Sequence, residues 1–332
     1  MVDGAAGVGT LALPVSLGFG ILKFRLYDID RIISRTLAYA IVTGLLAGVY
    51  AGIVLLATQV DHAGRLRRWH DAGMSEVGGV RNPFDSDPAA RRYAAARLYY
   101  HRSALDLARE QQEIGPAKLA LDVGCGTGLS TRAVSDLAER VVAVDASAAM
   151  LRAAQRHARV GYLVAVAERI PLGDAVADLA TVGTAFHWFD QPSALAELAR
   201  VLRDGATLVV YSDFFHGQLA GQPAFATWLN QSYSPRYPSP FRHSQFDPEA
   251  AQAAGFGRVR FGESEYAVPL TQPAFADYLL SQSNAEAAIA SGQVSAEELR
   301  GQIIAETSGF FGPAGTAEII FGMRVWTAVR GA

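Results

Sequence analysis

The stretch that decides the fold is LALDVGCGTGLSTRAV, residues 119–134. Its first residues form an apolar run that is typical of a buried strand, and LSTRAV begins a helix-like run. The three glycines between them, Gly124, Gly126 and Gly128, let the backbone turn tightly and approach a ligand without side chains in the way. The stretch therefore predicts a ligand-binding loop at the carboxyl end of a core strand.

The segments after this loop alternate between strand-like and helix-like patterns. The strand-like segments are RVVAVDAS, ADLATVGTAF and GATLVVYSD, and the helix-like segments are LSTRAVSDLAER, SAAMLRAAQRHA and SALAELARVL. Strands that alternate with helices of this length pair in parallel through right-handed crossovers. The predicted fold class is α/β with a Rossmann-like, doubly wound sheet, in which ligands bind beyond the carboxyl ends of the strands.

The composition excludes several kinds of site. The 332 residues carry a net charge of -3 with arginines scattered along the chain, so there is no basic stripe for a nucleic acid partner. The single cysteine, Cys125, excludes an internal disulfide framework and a zinc site made of several cysteines. We expect no metal site.

Two uncharged apolar runs, residues 5–22 and 36–60, lie near the amino terminus. The second is long enough to span a bilayer, which takes about 20 helical residues, and its apolar residues surround the helix instead of forming one stripe. A buried core helix is the alternative, and Pro14 and several glycines weaken the first run as a helix. We expect one or two hydrophobic membrane helices in a membrane-associated segment 1–60, which contacts the lipid bilayer through residues 5–60, and a polar linker at 61–83.

Basic residues flank both sides of the second apolar run. They are Lys23, Arg25, Arg31 and Arg35 before it and Arg65, Arg67 and Arg68 after it. Both clusters favour the cytoplasmic side, and a single crossing cannot place both there. Either one cluster is translocated, or one run lies in the membrane interface.

The segment between the two runs, KFRLYDIDRIISRT at 23–36, resembles the end of the membrane region of bacterial sensor histidine kinases. No phosphoacceptor helix and no ATP-binding glycine boxes follow it. The resemblance therefore concerns a membrane segment and implies no kinase activity.

Asp145 ends the second predicted strand. An acid at this place accepts hydrogen bonds from both ribose hydroxyls of an adenosine, and a helix N-cap before Ala148 is its alternative role. The loop has Leu129 where a dinucleotide fingerprint has its third glycine, and no GK[ST] sequence follows. These departures disfavour nicotinamide and nucleoside triphosphate sites.

Five motifs occur in the order and spacing of class I S-adenosylmethionine-dependent methyltransferases: LDVGCGTG, VVAVDAS, AERIPL, DLATVGTAFHWFD and ARVLRDGATLVV. The AE and HWFD elements resemble the methyltransferase type 11 branch that is similar to trans-aconitate methyltransferase. The similarity covers residues 84–332 and ends in FGMRVWTAVR, which resembles the family's final strand. It implies a seven-stranded sheet with an antiparallel last strand and S-adenosyl-L-methionine as the cofactor.

The resemblance assigns cofactor contacts to eleven positions. They are Asp122, Gly124, Cys125, Gly126 and Gly128 in the loop, Asp145 and Ala146 at the ribose and adenine, Ala167 and Glu168 at the polar edge of the adenine, and Thr184 and Ala185 on the methyl-donor side. For Asp122 this role is to orient the loop or to meet the amino group through water. Its alternative is a strand-end anchor.

His187, in the segment FHWFD, is the candidate catalytic base or substrate-orienting residue. Its alternative role is packing against its aromatic neighbours. Tyr93, Tyr100 and Trp188 are the candidate substrate contacts, although aromatic residues at these spacings also suit an ordinary packing face. Four arginines are candidates for binding an acidic substrate: Arg97, Arg102, Arg236 and Arg242. The aromatic- and proline-rich segment 217–246 is expected to build the substrate pocket.

Methyl transfer from a sulfonium requires alignment and a dry site more than a particular side chain. A hydroxyl, amine or acidic carbon acceptor benefits from a base, and a carboxylate needs none. We expect a methyltransferase for a small-molecule O-, N- or C-nucleophile, carboxylates included, held at the cytoplasmic face of a bacterial inner membrane, or cytoplasmic if residues 5–60 are not inserted. The alternative function is a non-catalytic sensory module that binds S-adenosylmethionine.

Overall fold

The computed structural model of the chain describes residues 76–77, 80–240, 242–243 and 246–331. They fall within one compact unit, Ser75–Ala332. The expected membrane runs, 5–22 and 36–60, and most of the expected linker lie outside the described residues. Among the residues that are described, no helix is both long and apolar enough to cross a membrane.

The described elements are numbered in chain order. The strands are β1 (Glu76–Val77), β2 (Val80–Arg81), β3 (Ala117–Val123), β4 (Ala138–Asp145), β5 (Val160–Val164), β6 (Ala177–Gly183), β7 (Leu202–Leu219), β8 (Phe256–Thr271) and β9 (Thr316–Arg330). The α-helices are α1 (Asp87–Ala96), α2 (His101–Gln111), α3 (Leu129–Val134), α4 (Ala148–Ala153), α5 (Gln191–Val201), α6 (Ala224–Trp228), α7 (Ser234–Arg236), α8 (Pro248–Ala253), α9 (Gln272–Leu280), α10 (Ser283–Ala290) and α11 (Ala296–Thr307).

Seven of the strands form one sheet in the order β5-β4-β3-β6-β7-β9-β8. The five strands β3 to β7 pair in parallel, and β9 is antiparallel to both β7 and β8. The predicted seven-stranded Rossmann-like sheet with an antiparallel last strand is therefore confirmed. The chain runs outward from β3 through β4 to β5, and then returns to β6 on the other side. This reversal of strand order opens a crevice at the carboxyl ends of β3 and β6.

The central strands are buried on both faces because helices cover both sides of the sheet. Leu121 in β3 and Val182 in β6 are fully buried in one apolar core, and Ala120 and Leu179 on the same strands pack into the core on the opposite face. The continuous apolar character of LALDV, which predicted a buried strand, has this physical origin.

Two predicted helices end earlier than their sequence patterns. The run 129–140 is helical only to Val134, because Ala138 onward pairs with β3 as strand β4. The run 147–158 is helical only to Ala153, because the chain must return to begin β5 at Val160. In both places strand pairing in the sheet overrides the local helical pattern.

A second apolar core lies over the extended ends of β7 and β9. It buries aromatic side chains from three parts of the chain, including Phe225 of α6, Phe275 of α9 and Phe321 of β9. We call this group the carboxyl-terminal core. It places α9 and the start of α10 above the carboxyl ends of the central strands, where they form one wall of the site.

Candidate functional site

A cavity of about 410 Å³ lies at the carboxyl ends of β3, β4, β6 and β7. Its walls come from the glycine loop, the segments after β5 and β6, helix α1, and the carboxyl-terminal core. Twelve predicted site residues line it: Tyr93, Gly124, Cys125, Gly126, Asp145, Ala146, Ala167, Glu168, Thr184, Ala185, His187 and Trp188. Three predicted site residues are not in its lining: Tyr100, Asp122 and Gly128.

The glycine loop adopts left-handed backbone at each of its three glycines, with φ of 69°, 53° and 84°. The amides of Gly124 and Cys125 both donate to the carbonyl oxygen of Val144, at 2.8 and 3.0 Å. The amide of Gly126 donates to Oδ2 of Asp145 at 2.8 Å. These three amides therefore hold the loop against the end of β4 and are not free to donate to a ligand.

Gly124 is the position in the loop where a side chain is least tolerable. A Cβ atom there would lie 2.4 Å from Cβ of Ala185 and 3.2 Å from the ring of Phe189. We expect Gly124→Ala to lower the free energy of unfolding of the full-length protein by about 2 kcal/mol more than Gly205→Ala does, measured by urea denaturation. Gly205 is the matched control because it has a similar φ of 80° and no neighbouring atom within 4 Å of the added Cβ. Equal losses for the two variants would show that the loop yields to the added methyl group.

Asp145 lies at the end of β4 with both carboxylate oxygens anchored. Oδ1 accepts a hydrogen bond from the amide of Ser147 and Oδ2 accepts one from the amide of Gly126, both at 2.8 Å. Burial raises the pKa of Asp145 to about 6. The N-cap of the next helix is Ser147, whose Oγ accepts from the amide of Met150, so the alternative role for Asp145 is filled by another residue.

Asp122 is fully buried beneath the glycine loop, outside the cavity lining. Its Oδ2 accepts hydrogen bonds from the hydroxyls of Ser130 and Thr131 at 2.6 and 2.7 Å, and its Oδ1 accepts from Thr181 at 2.9 Å. These contacts tie β3 to β6 and to the first turn of α3. They match the anchoring role of Asp122 and not a direct cofactor contact. Gly128 is the N-cap residue of α3 and likewise supports the loop from outside the lining.

Tyr100 lies behind the cavity wall and not in it. Its buried hydroxyl makes a short hydrogen bond with Oγ1 of Thr184, which lines the cavity and donates to Oδ1 of Asp213 at 3.3 Å. Thr184 has a φ of 50°, in the left-handed region that non-glycine residues rarely adopt. The structure therefore gives Tyr100 a supporting position behind Thr184 in place of the predicted contact with substrate. Burial raises the pKa of Asp213, and the positive charge of Arg97 opposes this.

Arg97 faces Asp213 from helix α1's carboxyl end. Its guanidinium lies 4.6 Å from the ring centre of Tyr93 and 5.9 Å from that of Tyr278. Nη2 donates to the carbonyl oxygen of Ser281 at 2.9 Å, and the buried Nε has no hydrogen-bond partner. The negative charge of Asp213 thus balances the positive charge of Arg97, and the Nε of Arg97 has no acceptor within the described structure.

His187 lies in a short 3-10 helix, Phe186–Trp188, directly after β6. Its ring centre is 5.1 Å from that of Trp188, and the guanidinium of Arg242 lies 5.4 Å from the ring centre of Trp188. Burial and the positive charges of Arg242 and Arg97 lower the pKa of His187 to about 3. The imidazole is therefore neutral at neutral pH, and a proton placed on it would be repelled by two neighbouring cations.

The other two candidate arginines lie outside the cavity lining. Arg102 pairs with Asp136 and Arg236 pairs with Glu306, all at partly exposed positions. The segment 217–246 does contribute to the cavity as expected, through Leu229, Tyr233, Ser234, Ser239 and Arg242.

The comparisons with known proteins agree with this geometry. Residues 121–210 match the family model described as a methyltransferase domain. The chain is 40% identical over 106 residues to a malonyl-[acyl-carrier protein] O-methyltransferase of Serratia marcescens, a match that covers 31% of this chain and 41% of that protein. It is 42% identical over 95 residues to an uncharacterised methyltransferase of Mycobacterium tuberculosis, which covers 28% and 38% of the two chains. A solved structure provisionally assigned as a type II methyltransferase of Anaeromyxobacter dehalogenans matches with a TM-score of 0.52 at 28% identity, over 70% of this chain and 97% of that one.

Residues 121–210 of the chain carry the sequence of a methyltransferase domain. The matches span less than half the length of the two curated relatives named above. The family match itself runs from within β3 to within β7 and includes the glycine loop, Asp145 and Thr184.

Part of the methyltransferase domain's cavity was not indicated by any motif. The lining residues that the sequence analysis missed include Asp213, Phe215, Tyr278, Gln282, Ser283 and Asn284. Asp213 alone had a usable signal, because it ends the predicted strand GATLVVYSD in the same way as Asp145 ends the second predicted strand. The others come from α9 and the start of α10, which only the tertiary fold brings to the cavity.

Proposed function

We propose that this protein transfers a methyl group from S-adenosylmethionine to a carboxylate oxygen of a small-molecule acid. One observation carries the proposal. A single cavity joins the glycine loop and Asp145 to an end that holds two guanidinium groups and a histidine whose protonation is disfavoured.

The residues at the first end suit S-adenosylmethionine. The loop's carbonyl oxygens suit the ammonium group of its methionine part. Each carboxylate oxygen of Asp145 accepts one backbone amide and keeps a second accepting position for a ribose hydroxyl. The absence of a side chain at Gly124 lets the loop lie directly against Ala185, the residue predicted on the methyl-donor side. The cofactor supplies a methyl group on a positively charged sulfur, and its transfer to a carboxylate gives a neutral ester and a neutral thioether with no proton released.

The second end suits a carboxylate acceptor because the guanidinium groups of Arg97 and Arg242 attract an anion. An acceptor that must lose a proton would need a base, and His187 is a poor one between those two cations. We therefore propose that His187 orients the acceptor. The relatives named as malonyl-[acyl-carrier protein] O-methyltransferases support oxygen as the acceptor atom.

A hydroxyl or amine acceptor is the second candidate, and Asp213 favours it. This carboxylate lines the cavity, and burial raises its pKa toward the range in which it would accept a proton. In this alternative Asp213 is the base and Arg97 is its counter-ion. The chemistry of the product separates the two candidates.

The test incubates the full-length protein with S-adenosylmethionine labelled in its methyl group and a panel of small mono- and dicarboxylic acids, hydroxy acids and amino acids. A methyl ester releases volatile labelled methanol in mild alkali, whereas a methyl ether or methylamine does not. We expect alkali-labile label that Asp213→Asn does not abolish. Alkali-stable label that Asp213→Asn removes would support the second candidate. Binding of S-adenosylhomocysteine without turnover across the panel would favour the non-catalytic sensory module, and no binding would contradict the cofactor assignment.

We also propose the expected division into a membrane-associated segment 1–60, a linker 61–83 and a methyltransferase domain 84–332. The two uncharged runs and the resemblance to a kinase membrane segment support residues 5–60 as the part that holds the domain at the cytoplasmic face of a bacterial inner membrane. Membrane fractionation tests this. The full chain should stay with membranes after an alkaline carbonate wash, and release by that wash would contradict insertion.

A further inference from the structure

The end of the cavity that holds Arg97 and Arg242, which we call the acceptor end, is walled largely by apolar side chains. They are Trp188, Phe214, Phe215, Leu229, Tyr278 and Leu279. The acidic and basic residues that line the cavity as a whole are Arg97, Asp145, Glu168, Asp213 and Arg242. Among the described residues from 214 to 239, no acidic or basic side chain lines the cavity. This part of the wall therefore suits a hydrocarbon group better than a charged one.

Strand β7 sets the direction of the apolar wall. The amide of Thr184, the residue predicted on the methyl-donor side, donates to the carbonyl oxygen of Tyr211 at 2.7 Å, and its hydroxyl donates to Oδ1 of Asp213 at 3.3 Å. Asp213 and Phe215 pair with β9 in unbroken register, so their side chains point to the same face of the sheet. Phe215 therefore lies about 7 Å beyond Asp213 along the strand.

Phe215 is an aromatic side chain that its neighbours leave partly uncovered. Its ring centre lies 5.9, 5.8 and 5.8 Å from those of three residues of the carboxyl-terminal core, Phe225, Phe275 and Phe321. Those three side chains are fully buried, whereas Phe215 is partly exposed and lines the cavity. An apolar surface that the core leaves uncovered favours a ligand that removes it from water.

Leu229 continues the apolar wall beyond Phe215. A Cβ atom on Gly217, two residues after Phe215 in β7, would lie 2.8 Å from Cδ2 of Leu229, so the leucine packs against bare backbone there. Leu229 is partly exposed, lines the cavity and begins a π-helical turn, Leu229–Tyr233, a geometry that is frequent at functional sites. The apolar wall thus extends about 13 Å along β7, from Asp213 to Gly217.

We propose that the methyl acceptor is a monocarboxylic acid with a hydrocarbon body, which the wall of Phe215, Leu229 and Tyr278 binds. The inference rests on the proposed function, because it names the class of acid for that reaction. The carboxylate lies near Arg97, at the Asp213 end of the wall, and the body extends along β7 toward Leu229. A second carboxylate at the far end of the body would lose its hydration against apolar side chains, so a dicarboxylic acid of the same length should bind more weakly.

The binding of acids of increasing length tests this proposal. Acetate, butanoate, hexanoate, adipate and benzoate are titrated by calorimetry into the full-length protein, with and without saturating S-adenosylhomocysteine. We expect the affinity to rise about tenfold from acetate to butanoate and again to hexanoate, because each step buries two methylene groups. Adipate has the length of hexanoate and a second carboxylate, and it should bind at least about tenfold more weakly than hexanoate. The tighter of hexanoate and benzoate shows whether the body is a chain or a ring.

Leu229→Asn should remove the gain in affinity with chain length. The substitution keeps a branched side chain and makes the wall polar, so hexanoate should bind about tenfold more weakly while the affinity for acetate stays unchanged. Leu163→Asn is the matched control, because Leu163 is 36% exposed on β5 and lies outside the cavity lining. If Leu229→Asn does not fold, Phe215→Leu is the second variant. It keeps an apolar side chain, shortens the wall and should weaken hexanoate about threefold relative to acetate.

The failure of this inference is distinguishable from failure of the proposed function. Normal binding of S-adenosylhomocysteine with equal affinities for acetate, butanoate and hexanoate, or with adipate tighter than hexanoate, would overturn the apolar acceptor and leave methyl transfer to a carboxylate standing. A gain with chain length that Leu229→Asn and Leu163→Asn reduce equally, or that neither reduces, would show adsorption elsewhere and would also overturn it. A gain that only Leu229→Asn removes, in a protein that does not bind S-adenosylhomocysteine, would support the apolar wall and overturn the cofactor assignment.

Discussion

Asp145→Asn is expected to weaken the binding of S-adenosylhomocysteine to the full-length protein by about 300-fold, because two hydrogen bonds to a charged acceptor contribute about 3 kcal/mol or more together. The substitution also harms the anchoring of the residue. Each carboxylate oxygen accepts one backbone amide, from Ser147 and from Gly126. An asparagine has one oxygen, so its NH2 group would face one of these two amides.

The affinity for S-adenosylhomocysteine should also depend on pH, and it should fall as Asp145 becomes protonated. The pKa of Asp145 is raised to about 6 by burial, and the ionised form is the better acceptor of ribose hydroxyls. Affinity for S-adenosylhomocysteine should therefore be constant above pH 7 and fall about tenfold for each pH unit below 6, because binding must then release a proton. Calorimetry between pH 5 and 7 in buffers of different ionisation enthalpy measures both the affinity and the proton released.

Two controls accompany this experiment. Asp145→Asn has no carboxylate to titrate and should show no such pH dependence in its residual binding. Asp136→Asn changes an exposed carboxylate that pairs with Arg102 and should bind as the wild type does. A wild-type affinity that does not change between pH 5 and 7 would contradict the requirement for an ionised Asp145.

The residues that were predictable from sequence are those whose role is set at one strand end. Gly124 follows β3 directly and Asp145 is the last residue of β4, so the loop and the acid were placed at the carboxyl end of the sheet before any tertiary contact was known. The resemblance implied the seven strands and the antiparallel last strand, and the alternation of strands and helices predicted the parallel part of the sheet. In the parallel part of the sheet, β3 to β7, the local sequence pattern and the overall fold agree.

The residues that could not be predicted are those that depend on distant pairing. Arg97 meets Ser281 across a sequence separation of 184 residues, and Tyr100 meets Thr184 across 84. No pattern around Gln282 or Tyr233 distinguishes them from ordinary surface or core residues. This end of the cavity exists only because the carboxyl-terminal core places α10 over the crevice. Substrate-recognising parts of a cavity are in this way less visible in sequence than a cofactor loop.

Tyr93 and Tyr100 have the same interpretation in the sequence but different surroundings in the structure. Tyr93 lines the cavity with the guanidinium of Arg97 against its ring, whereas Tyr100 is 6% exposed and bonds behind Thr184. Helical periodicity predicts that both are turned toward the interior. It cannot tell which interior surface is a ligand cavity and which is packed core.

The second large effect is expected at Asp122, and it is an effect on stability. Asp122→Ala should lower the free energy of unfolding by about 4 kcal/mol, because the buried hydroxyls of Ser130, Thr131 and Thr181 would lose their common acceptor. Asp122→Asn keeps one oxygen acceptor and should cost about half as much. Urea denaturation of the full-length protein measures these losses.

Asp136→Ala is the stability control, since its exposed pair with Arg102 should contribute less than about 0.5 kcal/mol. The comparison with Asp145 separates a supporting acid from a ligand-binding acid, although both lie at neighbouring strand ends. Asp122→Asn should lose stability and keep most of its affinity for S-adenosylhomocysteine, because Asp122 lies outside the cavity lining. Asp145→Asn should lose much more affinity, with a loss of stability no larger than that of Asp122→Asn, because only one backbone amide loses its acceptor. If the two variants lose affinity equally while both remain folded, Asp122 is a cofactor contact after all, and its three hydroxyl partners must move when the ligand binds.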